Sequence, residues 1–261
     1  MGNENYCLEI KTVQASTIKI LIEALKEILS DTVIIVNEQG IKICTMESSR
    51  IILVHLKLEA SKFEYFHCDG EKLIGINMLN LNKIIKTINN NDTLTLFMNV
   101  DECNHLGIKI ENNEKNTLRI SKLSLLDLAN DNMEIPPVSF NSVISLPSSD
   151  FQKICRDLHN LSEFVEVKNV NNQLIFSCKG DFCEQEIVIN DSEQMTVEQN
   201  TENQIYQGIF NLKYLVMFTK CTNLSNVIEL YLKNDYPLII QYSVGSLGLI
   251  KLCLAPQQNA D

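Results

Sequence analysis

The sequence predicts an α+β protein built twice over, each half carrying two helices on one face of a set of mostly antiparallel strands. Two observations predict it. Four segments place apolar residues at helical spacing, with short strand-like runs and turn signals between them. The helices also recur at a nearly constant offset: 133 residues separate Leu21 from Ile154, and 131 separate Leu81 from Leu212. A constant offset of that size reads as an internal duplication.

The first helix is expected from about Ser16 to Leu29, with Ile18, Leu21, Ile22, Leu25, Ile28 and Leu29 on one face and Ser16 as N-cap. The second, near Asn80 to Ile88, sets Leu81, Ile84, Ile85 and Ile88 in one stripe. A third follows Pro147, with Ser148 as cap and Phe151, Ile154, Cys155 and Leu158 as its apolar face. The fourth, from Asn211 to about Cys221, carries Leu212, Leu215, Val216 and Phe218. Strands are expected at residues 32–36 (TVIIV), then at IKICTM after the turn Asn37 to Gly40, and at RIILVHLKL, FEYFHC and TLTLFMNV. The second half repeats the pattern with EFVEVKNV, QLIFSCKG, EQEIVIN, VIELYLK, PLIIQYSV and LGLIKLCL. Asn130, Asp131, Pro136 and Pro137 interrupt any regular element between Leu123 and Phe140. The expected organisation is therefore an N-terminal domain over 1–123, a connecting linker over 124–140 and a C-terminal domain over 141–261. A polar stretch from Asn190 to Gln204 is expected to be a flexible loop.

At 261 residues and 45% hydrophobic content, either half has enough apolar material for a core. No run approaches the roughly 18 apolar residues of a membrane span. The start MGNENYCLEI lacks the basic and apolar regions of a signal peptide, and Tyr6 at the sixth position leaves a myristoylation motif incomplete. Cysteines at 7, 44, 68, 103, 155, 178, 183, 221 and 253 form no CxxC pair and no metal-like spacing with the four histidines. They are expected to be mostly reduced, buried small apolar residues, as in the cytosol or nucleus. The sequons Asn91-Asp92-Thr93 and Asn223-Leu224-Ser225 are then chance matches.

A net charge of −11 argues against a nucleic-acid partner on average, but the average hides the placement. Each expected helix carries basic residues that share a side: Lys19 and Lys26, Lys83 and Lys86, Lys153 and Arg156, Lys213 and Lys220. Lysines commonly occupy solvated helix faces, and Glu23, Glu27 and Asp157 show that these faces are mixed. Recurrence in all four helices of an acidic chain nevertheless favours a weak, sequence-independent phosphate surface, with acid elsewhere repelling DNA.

Several strings carry a resemblance: VQAS and KILIEALKEI within 13–28, MESSRIILV (46–54), FEYFHCD (63–69), LPSSDFQKICRDL (146–158), LKYLVMFTKCTNLS (212–225) and LAPQ (254–257). In order and spacing they resemble the DNA sliding clamps of eukaryotes and archaea, the proliferating cell nuclear antigen family, over essentially the whole chain. The resemblance implies the DNA clamp fold: a head-to-tail homotrimer of two-domain subunits, with helices facing a central hole that encloses duplex DNA and an outer sheet around them. Lys19, Lys26, Lys83, Lys86, Lys153, Arg156, Lys213 and Lys220 would then be DNA-facing. Ile20 stands where the family often has a lysine. Subunits would join through edge strands at about Thr117 to Leu123 and Phe182 to Ile189, with Arg119, Lys122, Glu184 and Glu186 adding charge complementarity.

Polymerase, clamp loader and other clients would dock a short motif of a glutamine, an aliphatic residue and paired aromatics in a pocket under the linker. The matching positions are Met46, Arg50, Ile51, Leu53, Met133, Ile135, Pro136, Phe140, Pro237, Leu254, Ala255 and Pro256. Arg50 stands in place of a common histidine, and Cys253 in place of a frequent tyrosine. Asn171 stands where the family often carries a modifiable lysine, with Lys168 nearby. No catalytic residue, cofactor or metal is implied, and the expected location is the nucleus, or a cytoplasmic replication site for a viral or archaeal chain. The implied roles are DNA replication and repair.

The enzyme readings are thin. Cys155 and His159 lie at i, i+4, but Cys155 belongs to the apolar stripe and reads as a structural thiol. His67-Cys68-Asp69 has no second half for a metal site, and Glu47-Ser48-Ser49 reads as a turn near the client pocket. No phosphate-binding glycine loop or G-x-S-x-G is present. Two rival assemblies share the fold: a subunit of a heterotrimeric checkpoint-type clamp, and a viral processivity factor that binds DNA without closing a ring.

Overall fold

In the computed structural model, which describes residues 6–129, 133, 138–140, 142–190, 195–199 and 205–257, the same order of elements occurs twice. The first run is β1 (Tyr6–Thr12), α1 (Ala15–Ile28), β2 (Asp31–Asn37), β3 (Gly40–Met46), β4 (Ile52–Glu59), β5 (Tyr65–Cys68), β6 (Lys72–Asn77), α2 (Met78–Ile85), β7 (Thr93–Asn99), β8 (His105–Asn112) and β9 (Thr117–Ser124). The second is β10 (Ser142–Pro147), α3 (Ser148–His159), β11 (Phe164–Val170), β12 (Gln173–Lys179), β13 (Glu184–Ile189), β14 (Thr196–Gln199), β15 (Tyr206–Asn211), α4 (Leu212–Phe218), β16 (Val227–Leu232), β17 (Leu238–Val244) and β18 (Gly248–Leu254). Strand, helix, five strands, helix, three strands is thus the plan of both halves, as the duplication predicts.

The chain divides into two compact units, residues 1–45, 55–133 and 243–250 forming one and residues 46–54, 134–242 and 251–261 the other. In the first, β5-β1-β7-β8-β9 form an antiparallel sheet that ends at β9, and β2 pairs with β3 and β6. In the second, β13-β12-β11-β15 form a sheet that ends at β13, and β10 pairs with β14 and β16. Within each unit the two helices touch, α1 against α2 and α3 against α4.

Periodicity explains what each element buries. Helix α1 hides Ile18, Leu21, Ile22, Leu25 and Ile28 in one stripe, and α3 hides Phe151, Cys155 and Leu158. Strands alternate: Val165, Val167 and Asn169 of β11 and Leu174, Phe176 and Cys178 of β12 face inward. Each fully buried Leu, Ile or Phe of this kind contributes roughly 1.5–3 kcal/mol. The outer side of β6 is covered, because the Leu126 N–H donates to the Gly75 carbonyl at 2.8 Å. Only glycine fits there, since a Cβ on residue 75 would lie 2.2 Å from the Leu126 carbonyl oxygen.

Four expectations need correction. Ser16 does not cap α1: the helix already begins at Ala15, the Gln14 side chain at the cap position makes no capping bond, and the Gln14 N–H is held by Thr12 Oγ1 at 3.0 Å. Ser148 does not cap α3 either; its hydroxyl is buried and donates to the Ser225 carbonyl at 2.6 Å. The fourth helix is shorter than expected. It ends at Phe218 and continues as a 3-10 turn over Thr219–Leu224, because Thr219 and Thr222 hydroxyls bond back to the carbonyls of Val216 and Thr219. Finally, the polar stretch 190–204 is not all loop: Thr196–Gln199 pair with Ser145 to Ser142 of β10. Residues 191–194 and 200–204 of that stretch lie outside the described residues.

Candidate nucleic-acid interface and docking surface

Asn side chains set the start of two of the charge-bearing helices. Asn77 accepts from the Asn80 N–H at 3.0 Å and Asn211 from the Lys213 N–H at 2.9 Å, so both helices start on a side-chain cap. In the first unit, Lys83 lies exposed on α2 and donates to Asn80 Oδ1 at 3.3 Å, while Lys86 is exposed at the helix C-cap. Lys19 and Lys26 of α1 are only half-exposed and already engaged. Lys19 Nζ donates to the Ile88 carbonyl at 3.0 Å, and Lys26 pairs with Glu27 at 2.9 Å.

In the second unit, Lys153 and Arg156 are exposed along α3, next to exposed Asp150 and Asp157. Lys213 is exposed on α4 with its ammonium 5.8 Å from the Tyr214 ring centre. Lys220 is exposed on the 3-10 turn, so its spacing from Lys213 is not that of a continuous α-helix. Six of the eight basic residues named from the sequence therefore face solvent, and the two on α1 are tethered within their own unit.

The docking positions gather mainly in the second unit. The link from β3 to β4 is a tight turn in which the Glu47 carboxylate accepts from the Ser48 hydroxyl at 2.8 Å, the Ser49 N–H at 3.0 Å and the Ser49 hydroxyl. Burial opposes the charge on Glu47, but those donors outweigh it and hold the carboxyl below its usual range. Both serine hydroxyls are thus spent on the turn. Arg50 takes a left-handed backbone, φ 60°, in that turn, a conformation that costs a non-glycine residue roughly 1 kcal/mol. Met46 and Ile51 flank it as exposed apolar side chains, Leu53 is half-buried and Leu254 is fully buried. The Ala255 N–H donates to the Ile51 carbonyl at 3.0 Å, tying the chain end to this turn.

Phe140 lies edge-on to Tyr231 and Tyr236, with centroids 5.4 and 5.8 Å apart, and Pro237 is half-buried beside Tyr236 in sequence. Met133 is half-buried, while Ile135 and Pro136 lie outside the described residues. A cleft of ≈ 630 Å³ opens in the same unit, lined in part by Gln207, Ile209, Asn234, Tyr236, Pro256 and Gln257. Of the residues named from the sequence it contains Pro256. The others come from three separate segments, a juxtaposition with no local signal apart from LAPQ, whose Gln257 N–H donates to the Ile209 carbonyl at 2.7 Å.

The thiol of Cys155 is buried in the α3 stripe and pushed far up by burial, while His159 is exposed. Cys155 is therefore no nucleophile. Cys253 is buried among core residues, and Asn171 forms the left-handed turn between β11 and β12. Nearby Lys168 pairs with Glu166 at 2.8 Å. No cluster of His, Cys, Asp or Glu among the described residues could hold a metal ion.

Models of the N-terminal and C-terminal domains of proliferating cell nuclear antigen match residues 7–134 and 134–257. This chain belongs to the proliferating cell nuclear antigen family. A probable DNA polymerase sliding clamp 1 of Paramecium bursaria Chlorella virus 1 is 32% identical over 262 residues, covering 98% of this chain and 99% of the relative. Proliferating cell nuclear antigen 2 of Drosophila melanogaster is 32% identical, covering 97% of this chain and 98% of its own. Proliferating cell nuclear antigen of Chaetomium thermophilum is 30% identical, covering 97% and 99%. The proliferating cell nuclear antigen family consists of non-enzymatic processivity factors, and the doubled α+β plan is its clamp fold.

Proposed function

We propose that this chain is the subunit of a homotrimeric ring that encircles duplex DNA and holds polymerase, clamp loader and other clients on it. The observation that carries the reading is the recurrence of exposed basic residues on α2, α3 and α4 of a chain whose net charge is −11. Sliding-clamp function follows from family membership; the ring, the DNA-facing surface and the docking pocket are the finer reading proposed here. Its domains are 1–123 and 141–261, joined by a linker over 124–140.

A ring of this kind needs little contact energy. Topological confinement keeps it on the template, and tethered clients gain effective concentration. Lys83, Lys86, Lys153, Arg156, Lys213 and Lys220 supply a diffuse phosphate-facing charge that reads no base, with Lys19 and Lys26 at its margin. The exposed Met46 and Ile51, with Leu53, Phe140, Pro237, Ala255 and Pro256, suit the apolar anchors of a short client motif. Met133, Ile135 and Pro136 belong to the same proposed docking set. The place of work is the nucleus, or a cytoplasmic replication site for a viral or archaeal chain.

Replacing Lys83 and Lys153 by Glu tests the reading. Polymerase stimulation on loaded circular template should be lost with the mass of the assembly in solution unchanged. Unchanged stimulation at physiological salt would remove these helices from the DNA side.

A further inference from the structure

Gly75 stands in the middle of β6, where the backbone itself does not call for glycine. Its φ lies outside the left-handed region, it pairs in register with Val33 of β2, and its neighbours Ile74 and Ile76 are buried. A glycine inside a strand costs backbone entropy and packs nothing, so it points to the close approach of another backbone. Leu73, on the same face of the strand, is exposed, whereas Gly75 is buried. What covers residue 75 is the start of the linker.

The Leu126 N–H donates to the Gly75 carbonyl at 2.8 Å, and β6 ends its sheet here, so this bond covers an open strand edge. A Cβ at residue 75 would stand 2.2 Å from the Leu126 carbonyl oxygen, 3.1 Å from its carbon and 3.3 Å from Leu128 Cγ. Only the last of these is a side-chain atom that can turn aside. Any side chain at 75 therefore drives the linker backbone outward by roughly 1 Å or more. A hydrogen bond of 2.8 Å does not survive such a displacement. Little else holds the linker down beyond this point, because Leu128 and Ala129 border a cavity of ≈ 170 Å³ lined also by Thr32, Val33 and Thr45.

We propose that Gly75 is a positioning residue for client docking: its missing side chain lets the linker lie against β6, so that a client segment meets a linker already in place. The inference rests on the docking surface proposed above. The linker is fixed at its start by the bond to Gly75 and at its end by Phe140, which lies edge-on to Tyr231 and Tyr236. Met133, Ile135 and Pro136 of the docking set fall between these two anchors in the sequence. Anchoring both ends removes conformational freedom before the client arrives, and preorganisation of this kind raises affinity without adding a contact. The assembly edge is spared, because the Leu125 N–H just past β9 has its own partner, the Asn104 carbonyl at 3.0 Å.

Fluorescence anisotropy of a labelled synthetic peptide carrying the glutamine, aliphatic and paired-aromatic motif, titrated with the full-length protein, tests this. Gly75→Ala is expected to weaken binding by about tenfold, with the mass of the assembly unchanged. Hydrogen exchange should quicken in the peptic fragment that holds residues 125–129. Leu126→Pro removes the N–H donor and leaves β6 untouched; it should weaken binding to a similar extent, and it decides the matter if the alanine variant does not fold. Wild-type affinity in Leu126→Pro, or in a folded Gly75→Ala whose exchange has quickened, would overturn the proposal and leave the docking surface standing. Loss of assembly together with peptide binding in both variants would make Gly75 a residue of the fold alone and overturn it too. A wild-type protein that does not take up the peptide would instead remove the docking surface, and this inference with it.

Discussion

Strands β9 and β13 each end a sheet, yet their exposed faces differ in charge. In β9, Leu118, Ile120 and Lys122 share the outward face; in β13 the corresponding row is Glu184, Glu186 and Val188, with Phe182 exposed in the bend just before the strand. Leu118, Ile120 and Val188 are 55%, 58% and 43% exposed, and Phe182 is 77% exposed, too apolar a pair of open edges for an isolated chain to tolerate easily. One row is apolar and basic, the other apolar and acidic, so each suits the other better than itself. That difference favours a heterologous, head-to-tail contact, which closes into a ring when the rotation permits.

The comparison breaks most decisively at Ile120. Ile120→Asp removes roughly 1.5–3 kcal/mol of apolar burial from any edge-to-edge contact. It also puts an unpaired carboxylate there, at a cost of several kcal/mol. Self-association should weaken by roughly 1000-fold or more, giving a folded monomer by sedimentation with circular dichroism unchanged. A trimer that persists would show that β9 is not an assembly edge.

A second difference is how firmly each edge is held by its own unit. On the inward face of β9, Arg119 donates to the Thr87 carbonyl at 3.2 Å and lies 3.5 Å from the buried Asp92 carboxylate, just past the end of α2. Asp92 also accepts from Asn112 at 2.6 Å and from the Asn89 N–H at 2.9 Å. Burial opposes its charge, but these donors and Arg119 outweigh it and hold the carboxyl below its ordinary value. Because the folded pKa lies below the unfolded one, about 3.9, this stabilisation is complete above that pH. It is lost as pH falls through the folded value. Asp92→Ala should cost roughly 1–3 kcal/mol in urea unfolding at neutral pH, and should flatten the loss of stability below about pH 4. An unchanged acid limb would remove Asp92 as the anchor of β9.

Much of this was legible in the sequence, and the failures have physical causes. The stripe Ile18, Leu21, Ile22, Leu25 announced α1, and the alternation in FVEVKNV and QLIFSCK announced β11 and β12, because burial itself imposes those periods. Ser148 misled as a cap because its hydroxyl takes the Ser225 carbonyl that the tertiary fold brings close, and Ser16 because the helix already begins one residue before it. The break after Phe218 arises from threonine hydroxyls bonding back to carbonyls, a competition that apolar spacing does not record. Strand β14 is polar and has no apolar period, so its pairing with β10 was hidden. At the candidate site, the lysines were readable by type and spacing. The capture of Lys19 by the Ile88 carbonyl was not, because its partner is 69 residues away.

The smallest expected effect concerns the charges themselves. Lys122 pairs with Glu102 and Glu184 with Lys179 at 2.6 Å, all within one chain and all well exposed. Exposed pairs of this kind contribute little to stability, so they can exchange partners across a contact at little cost. Lys122→Glu should therefore weaken self-association by no more than roughly 5-fold at low salt. Adding Glu186→Lys should recover most of the loss if β9 meets β13. At about 1 M salt, where the screening length is about 3 Å, the single and double variants should converge on the wild type. If the double variant is weaker than the single, the two charges do not face each other, and the apolar rows alone set the contact.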